Sequence, residues 1–69
     1  MADERNTLIG LNRTDGLLWW DDDAGRPTDS IFVASKFTEN TAAIRCEELK
    51  RFGREAYTDR IEIAARRIG

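Results

Sequence analysis

Three consecutive carboxylates, Asp21, Asp22 and Asp23, form the densest chemistry-bearing group in the chain, and they follow directly on two indoles, Trp19 and Trp20. Oxygen-rich runs can hold Ca²⁺ or Mg²⁺, but a calcium loop needs acidic or amide side chains at alternate positions, then a glycine and a distal glutamate. Counted from Asp21, the glycine position is Arg26 and the glutamate position is Phe32, so the pattern fails. Paired carboxylates also serve as general acid and base, which requires a pKa displaced by burial or a neighbouring charge. These three lie in a segment that reads as an exposed loop. Cys46 is the only thiol and histidine is absent, so no thiol–imidazole pair is available for nucleophilic catalysis. Neither a phosphate-binding glycine loop nor a dinucleotide fingerprint occurs. The residue types point away from an enzyme, and no metal or cofactor is expected.

Large aromatics beside concentrated negative charge describe a contact surface instead. The expected partner-binding residues are Asp15, Trp19, Trp20, Asp21, Asp22, Asp23 and Asp29. Successive strand residues point to opposite sheet faces, so if only one face is covered by helix, one indole is expected to be partly exposed beside the aspartates. If the strand continues through Asp23, the Asp21 and Asp23 side chains project about 6.6 Å apart on one side. Carboxylates so spaced imitate phosphates and compete for arginines that read DNA. The expected partner is a protein with a basic, nucleic-acid-binding surface.

Lys and Arg minus Asp and Glu give 4 − 8 = −4 over residues 1–40 and 7 − 5 = +2 over residues 41–69, for the net −2 of the whole chain. The basic half supports a second reading, a small nucleic-acid-associated regulator that binds through Arg60, Arg66 and Arg67 with Lys50, Arg51 and Arg54. Glu47, Glu48, Glu55, Asp59 and Glu62 are interleaved with them and weaken that strip.

The elements that must carry these residues are short. Thr7–Leu11 and Leu17–Trp20 read as a hairpin closed at Asp15-Gly16. Asp21–Asp29, with Gly25 and Pro27, reads as an irregular connection. Ser30–Phe37, rich in β-branched and aromatic residues, reads as a central strand. A helix is expected over Glu39–Phe52, with Thr38 as N-cap, Gly53 at C′ and Ala42, Cys46 and Leu49 on its buried stripe. Ile44 falls opposite that stripe, and Glu47 and Arg51 are spaced as an i,i+4 ion pair. Over residues 54–68, Tyr57, Ile61, Ala64, Ala65 and Ile68 fit a helix while Tyr57, Ile61 and Ile63 also share a strand face; Ala, Arg and Glu dominate Glu55–Arg67, so a second helix is expected, with a strand as the other reading. The fold class is α+β: an antiparallel sheet of about three strands packed by one or two C-terminal helices. The alternative is a ferredoxin-like half with a fourth, C-terminal strand that sets Arg60 and Glu62 on one face.

With 69 residues the chain is expected to form one domain, residues 1–6 being a flexible tail. At this size only about 60% of the unfolded surface is buried, and the usual reinforcements are disulfides, metals or a partner chain. One cysteine argues against a disulfide scaffold and for a reducing compartment. The polar start lacks the pattern of a signal peptide, and no apolar run approaches the ~20 residues that span a bilayer. The expected location is the cytoplasm, with no membrane partner.

In size, acidic character and lack of catalytic motifs, the whole chain resembles the small single-domain inhibitors of phages and mobile elements, of which anti-CRISPR proteins are the best-known class. The resemblance implies an inhibitor that binds a Cas effector complex and blocks DNA recognition in the host cytoplasm. The basic C-terminal half departs from a uniformly acidic DNA mimic and leaves steric blocking as the other mechanism.

Overall fold

The run Thr7–Leu11 is apolar along most of its length and buried at every position, as a strand covered on both faces must be. This strand, β1, lies inside a four-stranded antiparallel sheet of order β3-β2-β1-β4, formed with β2 (Trp19–Asp21), β3 (Arg26–Thr28) and β4 (Ala56–Arg60). The computed structural model describes residues 4–11 and 16–68. Two helices, α1 (Glu39–Arg51) and α2 (Ile61–Ile68), complete an α+β fold. The class and the antiparallel sheet are as expected, and the four-strand alternative, with α1 as the crossover to a C-terminal strand beside β1, is also consistent with it.

Both sheet faces are covered. Ile9, Leu11 and Trp20 pack with Phe37, Ala56 and the α1 stripe Ala42, Cys46 and Leu49. On the other face Leu8 and Trp19 pack with Ala34 and Ala64, flanked by Leu17, Ile31 and Ile61. Both tryptophans are therefore buried, Trp19 at 0% and Trp20 at 8% exposure. The strand alternation holds, but the expectation that one indole is partly exposed fails, because α2 and the Ser30–Phe37 segment cover the second face.

α1 forms for local reasons legible in its ends. The Thr38 hydroxyl accepts the Thr41 N–H at 3.2 Å, Glu39 occupies the first turn, and Lys50 and Arg51 the last. At the far end Arg54 N–H bonds to Leu49 O at 3.1 Å and Gly53 N–H to Lys50 O at 3.0 Å, with Gly53 at φ 86°. That is a Schellman closure, which needs the left-handed residue glycine supplies. On the outer surface Glu47 pairs with Lys50 at 3.2 Å rather than with Arg51, and Ile44 is exposed.

Three other expectations are corrected. The Asp21–Asp29 segment is not wholly irregular, since Arg26–Thr28 pairs with β2 as an edge strand. Pro27 is tolerated opposite Trp20 because the Trp20 carbonyl is taken by the Ser35 N–H at 3.1 Å, on the side away from β3. Ser30–Phe37 is not a central strand. Ser30 O accepts both Val33 N–H and Ala34 N–H, which coils the chain, so that Ile31, Ala34 and Phe37 turn inward at intervals of three. Only its last residues reach the sheet, where Phe37 exchanges two backbone bonds with Thr7 at 2.8 and 3.0 Å. Residues 54–68 divide between the two readings: a strand against β1 through Arg60, then a helix from Ile61. An eight-residue helix is marginal alone, and the unpaired side of β1 claims the residues nearest to it. Glu62 therefore belongs to α2 and does not share a strand face with Arg60.

Candidate functional site

The three aspartates have three different environments. Asp21 closes the β2–β3 turn: its side chain accepts the Ala24 N–H at 3.2 Å and its carbonyl the Gly25 N–H at 2.9 Å, and it is buried. Asp22 accepts the Trp20 indole N–H at 3.1 Å and faces Arg45 Nε at 3.4 Å. Arg45 in turn bonds Glu48 at 2.8 Å. Asp23 is exposed. Since β2 ends at Asp21, Asp21 and Asp23 do not continue a strand, and the phosphate-like spacing is not formed. Asp29 is exposed just beyond β3. Asp15 lies outside the described residues.

Both tryptophans are buried. Trp19 donates its indole N–H to the buried carboxylate of Asp59 at 3.1 Å. Trp20 lies under the Arg54 guanidinium, 4.9 Å from the ring centroid, at the floor of a groove lined by Arg45, Glu48, Leu49, Arg51 and Phe52.

Phe52 is exposed at 84% in that groove, and Phe32 at 90%, with Val33 next to it, on the turn that follows β3. That turn is held from within. The Lys36 ammonium donates to the carbonyls of Ile31, Phe32 and Ala34 at 2.8, 3.2 and 3.1 Å, which uses all three of its protons. Ser35 joins the turn to the acidic one, because its hydroxyl accepts the Asp22 N–H at 2.7 Å and its N–H donates to Trp20 O. Carboxylates flank this turn on both sides: Val33 shares a depression with Asp21, Arg26 and Asp29, while Ser35 and Lys36 share another with Asp22, Asp23 and Arg5. The sequence did not place Phe32, Val33 and Lys36 on a turn because an apolar run of this length reads as a strand. The available signal was the polar bracket of Thr28, Ser30 and Ser35, where Thr28 Oγ1 accepts the Ser30 N–H at 3.2 Å.

The basic residues are partly committed. Arg67 bonds Asp59 at 2.7 Å and Gly16 O at 3.3 Å, and the hydrogen bond to Asp59 raises its pKa above the ordinary arginine value. Lys50 is raised by its bond to Glu47. Arg51, Arg60 and Arg66 are exposed. Burial pushes the Cys46 thiol up, against a smaller lowering by Lys50, so the neutral thiol is favoured. Among the described residues, no three carboxylate or thiol groups gather as a set that could hold a metal ion. No helix is long and apolar enough to cross a membrane among them.

No protein-family model matches the chain, and neither a curated protein nor a solved structure matches it.

Proposed function

We propose that this protein is a non-enzymatic binding module that inserts Phe32 into an apolar pocket of a partner protein, with Asp23 and Asp29 meeting basic residues around that pocket. The observation that carries the reading is the Lys36 clamp, which fixes a turn whose aromatic is 90% exposed. A large aromatic held out on an ordered turn loses little conformational freedom on binding, and such anchors dominate interface energetics. The flanking carboxylates favour a basic partner and speed encounter with it. In the form implied by the anti-CRISPR resemblance, the partner is a Cas effector complex and the effect is loss of its DNA recognition. Arg45 neutralises Asp22 and Asp21 is buried, so the mechanism favoured is occupation of the basic surface rather than imitation of a phosphate row.

The test is a nuclease-treated pulldown from bacterial lysate with wild type and an Asp23→Asn/Asp29→Asn/Phe32→Ser variant, followed by DNA-binding competition with the retained protein. The reading holds if a nucleic-acid-binding protein is kept by wild type, lost by the variant, and prevented by wild type from binding DNA. Retention of nucleic acid itself, unchanged in the variant and abolished in Arg60→Ala/Arg66→Ala, overturns it in favour of the arginine-led regulator.

A further inference from the structure

The two edges of the sheet differ in how they are guarded. β3 has three residues, one of them Pro27, which offers no N–H. Short edges and proline are common devices against edge-to-edge pairing. β4 has five residues, no proline and an unbroken register against β1 from Ala56 to Arg60.

The direction of its backbone groups follows from the bonds of β1. Thr7 exchanges both of its bonds with Phe37, and Leu11 N–H donates to Leu18 O, so alternate residues from Thr7 point away from β4. Asn6 O accepts the Ile61 N–H at 2.9 Å, so Asn6, Leu8 and Gly10 point towards it. On β4, Tyr57 and Asp59 therefore bond to β1, while Ala56 and Thr58 turn their N–H and C=O groups outward and Arg60 its N–H, the Arg60 carbonyl being taken up at the start of α2. Outside the helices and strands, no backbone–backbone hydrogen bond reaches those outward groups among the described residues.

We propose that this edge pairs with the same edge of a second copy, antiparallel about a two-fold axis at Thr58, extending one four-stranded sheet into the other. Thr58 then faces Thr58 of the second copy and exchanges two bonds with it, and Ala56 faces its Arg60, which donates its N–H to the Ala56 carbonyl. The contact is isologous, so one strand supplies both halves. Small side chains at Ala56 and Thr58 leave the middle of the ladder open. Pairing also buries surface that a chain of this size leaves exposed. The Phe32 turn is joined to β2 through Ser35 and lies beside β3 through Val33, so this dimer stands or falls separately from the partner-binding reading.

The experiment is sedimentation of the wild type across a concentration series, alongside Thr58→Pro and Thr58→Cys. Proline at position 58 removes an outward N–H and leaves the bonds to β1 in place. The expected result is a wild-type dimer, a Thr58→Pro monomer with unchanged circular dichroism, and a Thr58→Cys dimer that oxidation cross-links and reductant releases. Hydrogen-bonded pairs have Cα atoms about 5.5 Å apart, within disulfide reach, and Cys46 is buried and does not compete. A wild type that stays monomeric up to about 1 mM overturns the proposal. So does a dimer that survives Thr58→Pro and fails to cross-link through Thr58→Cys. Should Thr58→Pro not fold, the cross-link decides.

Discussion

The carboxylate of Asp59 on β4 accepts the indole N–H of Trp19 on β2 at 3.1 Å, passing across β1 on the sheet face covered by α2. Arg67 bonds the same oxygen at 2.7 Å and also reaches Gly16 O. One buried acid thus ties together two strands and the second helix, whose Arg67 also reaches Gly16, three residues before β2.

Asp59→Ala leaves the buried Trp19 N–H without a partner and frees Arg67. A loss of about 2–3 kcal/mol in unfolding free energy is expected, as for an orphaned buried donor. Urea denaturation of wild type and variant measures it, and a change within error would mean that water replaces the carboxylate.

Lys36→Met keeps the stem and removes three donors. Amide exchange at Val33 and Ala34 should accelerate while the exchange of α1 stays as in wild type, since the clamp is local. If Phe32 is the anchor, partner affinity falls although Lys36 touches no partner.

Gly10 lies opposite Tyr57, and a Cβ there would overlap the phenol ring. Gly10→Val should cost about 1–3 kcal/mol by overpacking. Much of that should be recovered in Gly10→Val/Tyr57→Ala, measured as a double-mutant cycle; simple additivity would place the strain elsewhere.

The raised pKa of Cys46 makes stability fall in alkali. Above the ordinary thiol value of 9.0 the unfolded chain has released its proton while the folded chain still holds it, so rising pH favours unfolding. Denaturation midpoints should decline above that pH in wild type and decline less in Cys46→Ala. Native protein at neutral pH should resist alkylation until it unfolds.

Where local chemistry decided the outcome, the sequence was readable. Thr38 and Gly53 mark the ends of α1, Ala42, Cys46 and Leu49 its buried stripe, and Thr7–Leu11 a strand. Competition between segments was not readable. Ser30–Phe37 has strand composition, yet β1 and β2 already fill the centre, and the Lys36 ammonium stabilises the coiled path. Ala56–Arg60 has helix formers around it, yet β1 needs a neighbour. The sequence reading placed an aromatic anchor at Trp19 or Trp20, and the structure buries both. Whether Trp19, Trp20 or Phe32 stays in water depended on α2 and on the 30–37 segment covering the second face, which no local pattern encodes.

The pairing of Thr7 with Arg60 has a consequence for how the chain reaches its fold. β1 comes early in the sequence, and its partner on one side comes only after α1. Closing a loop of that length is entropically slow compared with forming α1 or the β2–β3 turn, so the rate-limiting event should be the docking of β4. Until β4 is seated, the inner strand stands open on one flank, and an interruption of synthesis before Ala56 would release a chain prone to self-association.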